Sequence, residues 1–166
     1  MSLIIDFERD PRGHLLPNGA PADLATTGLG WLQSSLFRGR LILRSGDVDL
    51  STDGRNFLAL LNVVTFFPRA FTDAVVSGRG SVPFFDQDDV VKITVDGDAV
   101  QLTRLYSDKI IDTDRSEFFA ALMGFLNSSL TRLTEDYPEL LNNSYFFDLL
   151  FGEPASGFTR SVIRRG

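Results

Sequence analysis

Residues Gly46 to Leu50 read Gly-Asp-Val-Asp-Leu, with one carboxylate on each side of an apolar residue. On an extended chain successive side chains point to opposite faces, so Asp47 and Asp49 share a face. Clustered carboxylates suit Mg²⁺ or Mn²⁺, which prefer oxygen ligands, and a metal so held can polarise a phosphoryl group. Asp53 follows closely. Farther on, Asp112 and Asp114 adjoin or fall in a related string: Thr52–Leu61 is TDGRNFLALL and Thr113–Leu122 is TDRSEFFAAL. Pseudo-symmetric packing of the two strings would gather these groups, with Asp47, Asp49 and Asp112 as candidate metal ligands.

The Gly46–Leu50 stretch resembles the acidic pair of the nucleotidyltransferase superfamily, where two Asp flanking an apolar residue on a strand hold the catalytic metals. The resemblance covers these five residues. It implies Asp47 and Asp49 as metal ligands in a nucleotidyltransferase-like or phosphoesterase enzyme. That family also places a Gly-Ser or Gly-Gly pair at a helix start upstream, whereas here Leu29 separates Gly28 from Gly30.

The repeated string also has a reading that requires no chemistry. Asp53 and Asp114 each stand where strand period gives way to helix period, and a carboxylate there accepts from the first free amides of a helix and faces the positive end of its dipole. Asp114 and Glu117 have the spacing of a capping box. Two helices started in the same way, or a duplicated hairpin-plus-helix unit, would produce the match.

Other chemistry is sparse. The chain has no cysteine, which removes disulfides, thiolate catalysis and Cys-based metal sites. The single histidine, His14, lies in a Pro/Gly-rich stretch and is expected to be solvated. There is no serine nucleophile elbow, phosphate-cradling glycine loop or zinc-helix pattern. Net charge is −6; the final segment from Ser156 carries Arg160, Arg164 and Arg165 with no acid, leaving −9 for the rest. An acidic body repels a phosphate backbone, so nucleic acid is not an expected partner. The start lacks a basic flank and a long apolar segment, and the longest apolar stretch falls far below the roughly 20 residues of a membrane span. A cytoplasmic protein without a membrane partner is expected.

The elements that must position these residues follow from periodicity. After a short strand at Leu3–Phe7, an irregular lead-in occupies residues 8–30. Leu36–Arg44 and Val48–Ser51 form a hairpin around Ser45-Gly46-Asp47. Helical spacing runs from Asn56 to Phe67, and Pro68 is expected to stop or kink that helix ahead of a second short one at Arg69–Val76. Ser81–Phe85 reads as an edge strand because Pro83 cannot donate to a ladder. Val91, Ile93 and Val95 alternate with polar residues, and Asp96-Gly97 turns the chain into Ala99–Tyr106. Lys109–Asp112 is a further strand. In the helix Ser116–Asp136, Phe119, Leu122, Met123, Leu126, Leu130, Leu133 and Tyr137 make a stripe widened by Phe118 and Phe125, which calls for two neighbours. A short helix at Ser144–Phe151 ends at Gly152-Glu153-Pro154.

These elements predict an α+β fold: one domain over residues 1–155, with a mainly antiparallel sheet of five to seven strands, two main helices packed on one face and a short C-terminal helix. Residues 156–166 form a basic tail, either disordered or an edge strand. Phenylalanine pairs recur at Phe66-Phe67, Phe84-Phe85, Phe118-Phe119 and Phe146-Phe147. Phe66 falls on the polar side of its helix with Arg55 and Asn62, and Phe84 and Phe85 on a strand require cover on both faces. Surplus aromatic surface of this kind is either covered by irregular segments or used for a partner. Phe66, Phe84, Phe85, Asp86, Asp88 and Asp89 are therefore the candidate interface. The functional expectation is a non-enzymatic protein-binding module with no cofactor, its partner another protein or a second copy. An immunity-type inhibitor of a basic bacterial toxin is one version, and the metal-dependent enzyme is the alternative.

Overall fold

Alternation of apolar and polar residues builds two antiparallel sheets of four strands each, in a computed structural model that describes residues 2–53, 58–84 and 88–152. The fold is α+β. In the first sheet, β1 (Leu3–Arg9) pairs with β2 (Arg38–Ser45) from Leu3↔Ser45 to Arg9↔Gly39. Two-residue strands β3 (Val48–Asp49) and β4 (Leu58–Ala59) pair with the two ends of β2. Between them the chain continues the ladder by another means. Leu50 and Thr52 donate their amides to the carbonyls of Leu43 and Leu41. In return, the hydroxyls of Ser51 and Thr52 accept from the amides of Leu43 (3.0 Å) and Leu41 (2.9 Å).

Thr52 is buried, so its hydroxyl replaces a backbone carbonyl where water cannot. Thr52→Val preserves shape but leaves the Leu41 amide unpaired, and should cost about 1–3 kcal/mol. Thr52→Ser retains the acceptor and should cost clearly less. Thermal unfolding of the two variants is the check; equal losses would show that the hydroxyl is not what matters.

The second sheet runs in chain order: β5 (Arg79–Pro83), β6 (Val90–Asp96), β7 (Ala99–Arg104) and β8 (Ile110–Asp114). Val91, Ile93, Val95, Val100, Leu102 and Ile111 point inward, while Lys92, Thr94 and Gln101 point outward. This is the alternation of a sheet with one solvated face. Pro83 lies on an edge strand as expected, and Gly97 takes the positive φ of 57° that the β6–β7 turn requires.

The helices are α1 (Leu29–Ser34), α2 (Leu60–Ser77), α3 (Arg115–Asp136) and α4 (Ser144–Phe151), the last entered through a 3-10 turn at Pro138–Asn142. Helix α2 lies against β5 and β6, α3 against β1, and one buried cluster joins the inner faces of both sheets. At Gly80 a side chain would meet the Ala70 carbonyl of α2 at 1.8 Å, so glycine is what lets β5 approach the helix.

Several sequence expectations are corrected. Helix α2 begins at Leu60, its N-cap is Ala59 without a side-chain hydrogen bond, and Asp53 does not cap it. It also runs unbroken through Pro68, with no separate helix at Arg69–Val76. A mid-helix proline costs about 3 kcal/mol. Burial of Val63, Val64, Phe67, Ala70 and Ala74 along the same helix offsets it, since each fully buried large apolar side chain contributes about 1.5–3 kcal/mol. Asn62, read as a polar-face residue, is buried. His14 is half-buried with its ring 5.5 Å from that of Tyr137, so the solvated reading fails. The lead-in contributes Leu16, Ala22 and Leu24 to the core.

At the start of α3 the expected cap is present. Asp114 Oδ1 accepts from the Glu117 amide at 2.8 Å and from the Ser116 hydroxyl at 2.6 Å. Glu117 does not turn back to close a capping box. Its Oε2 accepts from the Thr113 hydroxyl (2.7 Å) and its Oε1 from the Leu3 amide (2.8 Å), which ties β1 to the helix. The Ser116 hydroxyl and then the Glu117 amide hold the Asp114 carboxyl below its ordinary range; the Thr113 hydroxyl and then the Leu3 amide do so for Glu117.

Both carboxyls thus stabilise the fold when ionised. Their contribution is complete above about pH 4.5 and is lost as pH falls through the depressed values. Protection of the Leu3 amide against hydrogen exchange should therefore decline below about pH 4, ahead of global unfolding. Unchanged protection down to about pH 2 would remove Glu117 as the anchor.

Candidate functional site

Asp47 is exposed in the β2–β3 turn. Asp49 on β3 pairs with Arg44 Nε at 2.9 Å and accepts from the Ser51 amide at 2.8 Å. Partial burial pushes its carboxyl up, but the Ser51 hydrogen bonds and the Arg44 charge outweigh this and hold it below the usual range. Asp112 stands on β8 of the other sheet, where it accepts from Gln101 Nε2 at 3.0 Å. Among the described residues no group of three or more His, Cys, Asp or Glu could hold a metal ion. Asp47, Asp49 and Asp112 are thus divided between two sheets.

The candidate interface residues separate in a similar way. Phe84 is 2% exposed and belongs to the core. Phe66 is half-buried, packed against the core, with the Arg69 guanidinium 5.6 Å from its ring centre. Asp88 is exposed, and Phe85 and Asp86 lie outside the described residues. Asp89 is 5% exposed. Its Oδ2 pairs with Arg104 Nε at 2.5 Å and its Oδ1 accepts from the Val90 amide at 2.8 Å. Arg104 in turn donates to the Ser51 carbonyl of the first sheet at 2.5 Å. Asp89 and Arg104 form a latch between the two sheets, so both oxygens of this carboxylate are engaged inside the protein.

The surface with unused capacity is on the helices. In α3 the buried face consists of Phe118, Leu122, Phe125, Ser129 and Leu133. The centre of the sequence stripe, Phe119, Met123, Leu126 and Leu130, lies on an adjacent face at spacings of three and four. That stripe is therefore two seams: one enters the core, and the other faces outward with Phe119 at 53% and Met123 at 47% exposure. Sequence periodicity found both residues but assigned them to the core, because a helix pattern states which residues share a face and not what covers it.

The outward seam leads into a cleft. Leu126 and Leu130 of α3, Val64 and Pro68 of α2, and Leu149 and Phe151 of α4 line a cavity of about 370 Å³. Pro68 forms part of its wall, so the residue expected to end a helix shapes the cleft instead. Arg69 lies at the same cleft, next to Phe66. Beyond it the rings of Phe147 and Phe151 stack with centroids 6.4 Å apart.

The chain matches no family model, no curated protein and no solved structure.

A row of aromatic and aliphatic side chains from Phe119 to Phe151 offers shape and apolar area. Apart from Thr65 and Arg69 the described lining of the cleft is apolar, whereas a small-substrate site orients its ligand with several converging polar groups. Among the described residues no helix is long and apolar enough to cross a membrane.

Proposed function

We propose that this protein is a non-enzymatic binding module whose contact surface is the outward face of α3, centred on Phe119 and Met123, with another protein as its partner. The observation that carries the reading is the exposure of these two large apolar side chains side by side on one helix face. Exposed aromatic side chains of this kind anchor interfaces, and a few of them supply most of the binding energy. The charge of −9 outside the final eleven residues supports a basic partner, because opposite charge speeds encounter. An inhibitor of a basic toxin of the immunity type is the concrete form of this reading, and self-association through the same face is its nearest variant.

Phe119→Ser should weaken partner capture by roughly 30-fold or more, the equivalent of a 2 kcal/mol hot spot, without loss of thermal stability. Capture should also weaken with rising salt. Phe66→Ser tests the half-buried ring beside Arg69 in the same assay. A partner retained undiminished by the Phe119→Ser protein would remove α3 from the interface. Light scattering that shows a concentration-dependent dimer lost in Phe119→Ser would assign the face to a second copy. Saturable Mn²⁺ binding abolished in Asp47→Asn and Asp49→Asn would replace this reading with the metal-dependent one.

A further inference from the structure

We propose that the cleft between α2, α3 and α4 is a docking groove for the chain's own final segment, residues 153–166. Independently of which partner α3 engages, three observations converge on this occupant.

The first is position. Gly152 is itself part of the cleft wall, so the last fourteen residues depart from the groove they would fill. Fully extended, they reach at most about 45–50 Å. The groove and its outward continuation from Leu130 to Phe119 follow eleven residues of helix, about 16 Å at the rise of an α-helix. Reach is ample even for a segment that folds back.

The second is composition. The segment carries Phe158, Val162 and Ile163, and the groove offers Val64, Pro68, Leu126, Leu130 and Leu149. Covering those walls removes apolar area from water, and tethering to Gly152 makes the event intramolecular, which spares it the entropy of bringing two molecules together.

The third is charge. Arg160, Arg164 and Arg165 against Glu153 give the segment +2 against −8 for the rest of the chain. Exposed Asp73 on α2 and Asp148 on α4 stand on two of the helices that border the cleft.

The test uses the intact protein. Trypsin cleavage after Arg160 is followed by mass spectrometry in the full-length chain and, in a parallel digest, in a synthetic peptide of residues 153–166. Docking predicts that the bond is cut at least about ten-fold more slowly in the protein than in the peptide, because cleavage tracks the undocked population. Leu130→Glu on the groove and Phe158→Ser on the segment should each return the rate to near that of the peptide. The second substitution touches no groove residue, so it reports on docking even where the first disturbs folding. Cleavage of the parent chain at the peptide rate would overturn the proposal, as would protection unchanged by Phe158→Ser. Protection that rises with protein concentration would overturn intramolecular docking in favour of exchange of the segment between two copies.

Discussion

Asp89→Ala is expected to lower the stability of this protein by about 3–5 kcal/mol, the cost of leaving one member of a buried ion pair without its partner. The Asp89 and Arg104 side chains are 3% and 15% exposed, so the guanidinium left behind could not regain full hydration. Its remaining hydrogen bond to the Ser51 carbonyl is to a neutral group and cannot replace a carboxylate. Domains are typically stable by only about 5–15 kcal/mol, so the loss would be a large share of the total.

The sign of the pair's net worth is a separate matter, and a double-mutant cycle resolves it. Desolvating two charges costs nearly as much as their attraction returns, so the Asp89→Ala, Arg104→Met double variant should recover much of the loss seen in either single variant. Urea unfolding of the four proteins measures this. A single-variant cost below about 1 kcal/mol would mean that the pair behaves as a solvated surface bridge. The latch also explains why Asp89 belongs with the fold and not with the exposed acidic surface, where Asp88 remains.

Asn143→Ala should be nearly as damaging, at about 3–4 kcal/mol, because this fully buried side chain has two distinct duties. Its Oδ1 accepts from the amides of Tyr145 (2.9 Å) and Phe146 (3.3 Å), capping α4. Its Nδ2 donates to the carbonyls of Leu24 (2.7 Å) and Thr27 (2.9 Å) in the lead-in. Losing the cap costs about 1 kcal/mol and leaving the buried Leu24 carbonyl unpaired about 1–3 kcal/mol, while the part-buried bond to the Thr27 carbonyl adds less.

Asn143→Asp separates the duties. Aspartate still caps the helix but has no donor for the two carbonyls and places negative charge beside them. It should be at least as destabilising as Ala, with hydrogen exchange accelerated first near Leu24–Thr27 while the start of α4 stays protected. An Asp variant as stable as the parent would mean that the lead-in is held by its apolar contacts alone. Because α4 supplies Leu149 and Phe151 to the cleft, the Ala variant should also loosen the groove.

What could be read from the sequence was local. Val91, Ile93 and Val95 announced β6, Asp96-Gly97 its turn, Asp114 the start of α3, and Ser144–Phe151 the last helix; each depends on neighbours within a few residues, and each is present as read. The α+β class followed from such segments.

Tertiary structure decided whatever rests on distant groups. The two Thr-Asp strings look alike, yet Thr113-Asp114 leads straight into a helix while Thr52 closes a ladder with Leu41 and helix α2 begins at Leu60. Local propensity was the same; the available partners differed. Pro68 stays inside α2 because burial along the helix outweighs a local cost that the sequence displays alone. Asp89 finds Arg104 fifteen residues away, and Arg104 finds Ser51 fifty-three away, separations at which periodicity carries no signal. Phe119 and Met123 face outward for the same reason: a sequence lists apolar residues, but only the arrangement of β1, α2 and α4 around α3 determines which of them are covered.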